Sequence, residues 1–181
     1  MSTETLGFPP IRGYDADLVT VLRRFPRYSD EPSKSFLPRA RKMIQDAECQ
    51  MLHWLAAKAY TGCGDIVDLG AFLGASTEAF GHGARDNLQA PFGRRTIHSF
   101  DLFLCLRDQY SEELIGHGRG PGDPILDLFE GNISDLSDLV KIYPGDVRQQ
   151  TYRGGDIEIR SSISPKRTKS TTIFSTISSR D

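Results

Sequence analysis

The chain has 181 residues, 38% of them hydrophobic and 25% charged, with a formal net charge of −2; this is the profile of one soluble globular domain with a sizeable core. No stretch approaches the roughly 18 uninterrupted apolar residues of a membrane span, and the polar start MSTETLGFPP lacks the basic and apolar regions of a signal peptide, so a cytoplasmic protein with no membrane partner is expected. Cys49, Cys63 and Cys105 lie outside any CxxC or Cys/His ligand spacing, which points to neither a disulfide framework nor a zinc site and leaves three buried thiols.

Residues 1–37 are rich in Pro, Arg and Ser without a sustained period and read as an irregular or partly helical lead-in. From Pro38 to Tyr60 the apolar residues Met43, Ile44, Ala47, Met51, Leu52, Leu55, Ala56 and Ala59 recur at three- and four-residue spacing, with Gly62 just past the end; the pattern predicts an amphipathic helix. His53 and Trp54 fall on or beside its apolar side and read as packing residues. Short apolar runs then alternate with helical patterns: IVDLG (66–70), a helix over about Ser76–Arg85, TIHSFDLF (96–103), a helix opening near Asp123-Pro124 with Ile125, Phe129, Ile133 and Leu136 on its core face, VKIY (140–143), and DIEI (156–159). Such alternation predicts an α/β fold, a Rossmann-like doubly wound parallel sheet covered on both faces.

In such sheets ligands bind beyond the carboxyl ends of the strands, at a glycine turn and the amino end of the following helix. Gly70, Gly74 and Ser76 stand at that place, Gly70 free to take dihedrals closed to other residues and Gly74 offering close approach to the backbone. Asp68, just before the turn, is placed to orient the loop or to accept from a ligand ammonium. Asp101 closes the second strand, where a carboxylate can accept from both hydroxyls of a ribose. Asp146 and Val147 follow the third strand in YPGDV, completing a line of strand ends that would suit an adenosine. GAFLGAS lacks the lysine of a P-loop, and G-x-x-x-G is not the G-x-G-x-x-G of a dinucleotide site; an NAD-type oxidoreductase is the disfavoured alternative. His82, His98 and His117 are candidate bases only as imidazoles near strand ends or loops, and for each a surface or packing role is the simpler reading. The stretch GHGRGPGDP (116–124) reads as a substrate flap or as a connection to a helix capped by Asp123. Asn132-Ile133-Ser134 matches a glycosylation sequon and is treated as incidental.

The stretches VDLGAFLGAST, HSFDLF and IYPGDVRQ resemble the class I S-adenosylmethionine-dependent methyltransferases, over roughly residues 40–159, and look nearest to the macrocin-type O-methyltransferase branch, whose members act on sugars of natural products or glycans. The resemblance implies S-adenosylmethionine as cofactor and a small-molecule or glycan hydroxyl as methyl acceptor. It implies that the turn of Gly70, Ala71 and Gly74 holds the methionine portion, Asp101 the ribose, and Asp146 with Val147 the adenine. It identifies no catalytic base. Acids after the fourth and fifth strands often supply a magnesium site in the family; this chain has no matching residues, so no metal ligand is assigned.

Residues 160–181 depart from the family pattern. They hold seven Ser and four Thr among 22 residues, and five Lys/Arg against Asp181, leaving 17 basic and 23 acidic residues before them. With no aromatic interleaving or nucleic-acid-binding motif, this basic stretch is read as a disordered tail rather than a nucleic-acid arm. A frame slip after Ile159 is a second account: every residue from Arg160 to Asp181 can be written as one-base-shifted codons whose restored frame opens LFIDISKT, similar to the fourth strand of the family branch. Either way the domain over 38–159 is expected to be an incomplete methyltransferase fold in which the first strand lacks a neighbour. A truncated cofactor-binding fragment without turnover is therefore the non-enzymatic alternative.

Overall fold

A computed structural model describes residues 35–91, 95–106, 113–116 and 118–162. The lead-in before residue 35, His117 and the segment after Ser162 lie outside the described residues. Four strands form one all-parallel sheet: β1 (Asp65–Leu69), β2 (Ile97–Asp101), β3 (Val140–Pro144) and β4 (Ile157–Ser162), in the order β3-β2-β1-β4. Helix α1 (Asp46–Trp54) runs into a π turn (Leu55–Ala59) before β1, α2 (Ala75–Asp86) links β1 to β2, and α3 (Leu126–Asn132) precedes β3. This is the Rossmann-like α/β architecture that the strand and helix alternation predicts. No helix among the described residues is long and apolar enough to cross a membrane.

Strand alternation sends side chains to two faces. Ile66, Ile97 and Ile159 point to one and pack with Leu52, Leu55, Phe80 and Ala84 of the helices. Val67, Leu69 and Phe100 point to the other and pack with Tyr152, which follows β3. Gly83 lets α2 lie against α1, since a Cβ there would stand 2.3 Å from the His53 carbonyl oxygen and 2.8 Å from Ala56 Cβ. Ile125, Phe129, Ile133 and Leu136 are all buried, as their spacing predicts.

Three expectations shift. The helix predicted from Pro38 starts at Asp46, where Glu48 reaches back to accept from the Gln45 amide at 2.7 Å; Arg39, Ala40 and Arg41 before it are held by the tertiary bonds described below. Asp123 does not cap α3, because its carboxylate accepts from the Gly120 amide at 2.6 Å and closes the preceding loop. Cys63 is exposed, in the turn before β1, whereas Cys49 and Cys105 are buried.

The strand at DIEI continues through Arg160 and Ser161 to Ser162, so the first residues of the expected tail belong to the sheet and β1 has β4 as its parallel neighbour. Polar side chains secure this pairing. Glu158, 1% exposed, accepts from the amides of Thr61, Cys63 and Gly64 at 2.5, 2.8 and 3.1 Å, pinning the turn that feeds β1. Short-range composition at residues 160–162 carries no sign of this, because the partners are nearly a hundred positions away.

Candidate functional site

A cleft lies at the carboxyl ends of β1 and β2, at the position where ligands enter open α/β sheets. Its walls are Gly70–Leu73, Ala75 and Ser76 from the turn into α2, Asp101, Leu104 and Leu106 from the end of β2, and Arg41–Ile44 from the segment before α1. The cavity measures about 110 Å³. That is room for one end of a nucleoside-sized ligand, with the remainder toward solvent.

The turn is built by backbone geometry. Gly70 has φ 84 and Gly74 has φ 98, and Phe72 between them has φ 49. The Gly70 and Ala71 amides both donate to the Phe100 carbonyl, at 2.8 and 3.2 Å, tying the turn to the end of β2. The first amides of α2 have no acceptor within their own helix, which gives the adjoining cleft a positive rim. Asp101 balances it: its Oδ2 accepts from the Phe72 amide at 3.0 Å and its Oδ1 from the Phe103 amide at 2.8 Å. Burial raises the Asp101 pKa, only partly offset by those amides. The carboxylate keeps lone pairs for a ligand hydroxyl while its position is fixed by the two main-chain bonds.

Of the residues predicted from sequence, Gly70, Ala71, Ser76 and Asp101 meet in this cleft. Asp68 lies behind it. It is fully buried and accepts from Ser76 Oγ at 2.8 Å, Thr77 Oγ1 at 2.7 Å and Ser161 Oγ at 2.6 Å. The carboxylate thus joins β1, the first turn of α2 and β4; of the two roles open to it, orienting the loop is the one its contacts serve. Burial raises its pKa against the three hydroxyls.

Gly74 also lacks direct access to the cleft. A Cβ there would sit 3.0 Å from Ile133 Cγ2 and 3.2 Å from Phe129 Cδ2, so the close approach of these two residues, together with its φ of 98, requires a glycine. Asp146 and Val147 do not line the cleft. Asp146 accepts from the Arg148 amide at 2.9 Å and pairs with the Arg148 guanidinium, capping the short turn Val147–Gln149 and holding its own pKa down at about 2. Val147 packs beside Leu69, Phe100 and Tyr152.

Neither described candidate imidazole reaches the cleft. His98 is buried within the sheet, bonded to Tyr143 Oη at 2.9 Å and Asp65 Oδ2 at 3.1 Å, and His82 stands 3.7 Å from Asp135 on the outer side of α2. Among the described residues no group of three or more His, Cys, Asp or Glu is arranged to hold a metal ion.

Apolar spacing predicts a helix over Arg41–Ile44, whereas in the structure these residues precede the helix and form one wall of the cleft. Glu78 of α2, 1% exposed, accepts from Arg39 Nε at 2.8 Å and from the Ala40 amide at 2.9 Å, while Arg39 also donates to the Asn132 carbonyl at 3.0 Å and pairs with Asp135. The chain is thereby strapped across α2 and α3, and the next four residues fall over the glycine turn. The one local signal is a glutamate four positions after Gly74, in the first turn of α2 between the small residues that face the core.

The fold is Rossmann-like α/β, with a cleft at the first glycine turn. Among solved structures the chain is similar to PH1948 of Pyrococcus horikoshii, described as a candidate RNA methyltransferase, at 15% identity and a TM-score of 0.40, over 81% of this chain and 58% of that one. The chain therefore spans less than two thirds of that protein's length. No protein-family model and no curated protein matches it.

Proposed function

We propose that the cleft binds S-adenosylmethionine and that the chain is the cofactor-binding part of a methyltransferase acting on a small-molecule or sugar hydroxyl. The observation that carries the reading is the placing of Asp101 beside the Gly70–Ala71 turn, fixed by main-chain amides in a cleft open on one side. The residues fit the cofactor by type: a glycine turn for the amino-acid end, an acid with spare lone pairs for the ribose hydroxyls, and apolar walls at Met43, Ile44 and Phe72. A lysine-free G-x-x-x-G turn argues against a P-loop nucleotide and a dinucleotide.

When bound, the cofactor supplies an electrophilic methyl group on a sulfonium; the work left to the protein is alignment in line with the acceptor. Gly70 and Ala71 would hold the amino-acid end and Asp101 the ribose. Deprotonating a hydroxyl acceptor needs a base, and Asp101 is the one carboxylate of the described cleft wall, with no imidazole there. This favours a second reading, cofactor binding without turnover by this chain.

Titration calorimetry with S-adenosylmethionine, S-adenosylhomocysteine, NAD and ATP separates the readings. Micromolar binding of the first two and none of NAD or ATP is expected. Absence of heat with both S-adenosyl compounds overturns the proposal, and methyl transfer from labelled cofactor to water-soluble glycosides distinguishes turnover from binding alone.

A further inference from the structure

The strap places two cations at the cleft, and they differ in one respect. Lys42 is ion-paired with Asp46 four residues on. Arg41 donates through Nη1 to the carbonyl oxygens of Leu114 at 3.2 Å and Glu113 at 3.4 Å, and among the described residues no carboxylate pairs with it. Carbonyl bonds hold a guanidinium in place without neutralising it, and leave Nε and Nη2 of its planar fork for another acceptor. The cleft wall that Arg41 shares with Gly70 and Ala71 has one acid, Asp101, engaged by two amides. A positive charge fixed at a glycine turn calls for an anionic group on the ligand.

Resting on the cofactor reading above, we propose that Arg41 binds the α-carboxylate of the cofactor's methionine end, so that the strap before α1 selects ligands that carry this group. The carboxylate would accept a charge-assisted pair from the guanidinium, whose position is already set by the carbonyls of residues 113 and 114. The Arg39–Glu78 contact lies outside the cleft and keeps the strap in register.

S-Adenosylhomocysteine has this carboxylate and 5′-methylthioadenosine lacks it, while the two share the nucleoside and sulfur. Calorimetry on the wild-type chain is expected to show S-adenosylhomocysteine binding about 10- to 100-fold more tightly. In Arg41→Gln that preference should collapse to within about threefold through loss of S-adenosylhomocysteine affinity, with methylthioadenosine unchanged, and Arg41→Lys should restore part of it. A wild-type chain that binds both equally overturns the inference whatever the variants do, and leaves the cofactor reading standing. An equal fall for both ligands in Arg41→Gln overturns it as well. Failure of the wild type to bind either compound overturns both readings.

Discussion

The backbone amides of Phe72 and Phe103 converge on one carboxylate, that of Asp101, and both residues have φ 49. Left-handed backbone is uncommon outside glycine, and two non-glycine residues adopting it against the same side chain indicate that the bonds they make outweigh the conformational cost. Replacing Asp101 by Asn keeps one acceptor oxygen but turns an NH2 toward an amide donor. Asp101→Asn is expected to lose about 1–3 kcal/mol of stability in urea titration and to weaken S-adenosylhomocysteine binding at least about tenfold. Unchanged affinity would remove Asp101 from the site.

Arg39 acts through Glu78. Removing its guanidinium leaves a buried carboxylate with the Ala40 amide as its remaining described donor. Arg39→Ala is expected to destabilise by about 1–3 kcal/mol, less than a fully buried pair because Arg39 itself is 58% exposed. It should also free residues 41–44 from α2, raising the rate of tryptic cleavage after Arg41 and Lys42 relative to cleavage elsewhere. If that relative rate stays the same, the strap has another anchor.

Gly83 sets two stabilising tendencies against each other. Ala has the higher helix propensity, by about 1 kcal/mol, but its Cβ would meet the backbone of α1 at 2.3 Å. The steric term should win: Gly83→Ala is expected to lower the urea midpoint by an amount equivalent to about 1–3 kcal/mol. A raised midpoint would show that α1 moves aside freely.

The pH dependence has two opposed sources. At Asp65, burial pushes the pKa up, but bonds from His98 at 3.1 Å and Tyr152 at 2.6 Å, with the Gly155 amide, outweigh it and bring the value below the ordinary range. The unfolded state then binds more protons, so this stability is present above about pH 4 and is lost as pH falls through the folded value. Asp68 and Asp101 have raised pKa values; there the folded state binds more protons, and stability falls as pH climbs from the ordinary carboxylate range through their folded values. Urea midpoints measured from pH 2 to 7 should therefore fall less steeply at the acid end in Asp65→Asn, and should lose part of their decline above about pH 4 in Asp101→Asn. The reverse assignment of slopes would contradict these environments.

How much of this could be read in advance depends on the range of the interactions. The four strands and the helix over 76–85 follow from apolar spacing within a dozen residues and stand within two or three residues of where that spacing places them; Ile125, Phe129, Ile133 and Leu136 are buried as expected, although the helix closes at Asn132 and Leu136 lies in a separate 3-10 turn. The glycine turn and the acid at the end of the second strand were legible for the same reason, since their position in the fold follows from the strand they terminate. The cleft's other wall was not. Apolar periodicity continues through Met43 and Ile44, yet Arg39 and Ala40 are held by Glu78 across 39 and 38 positions, and a buried carboxylate outweighs local helix propensity. Asp68 has the same explanation.

By itself the sequence determined the alternating α/β pattern, the turn at Gly70–Gly74 and the carboxylate at Asp101, because hydrophobic period and chain connectivity dictate them locally. Only the tertiary structure decided that Asp68 turns inward to Ser76, Thr77 and Ser161, that Asp146 pairs with Arg148, and that Arg41 faces the cleft. Each of those outcomes depends on where a polar side chain finds its hydrogen-bond partner once the sheet has formed, and apolar periodicity does not encode that choice.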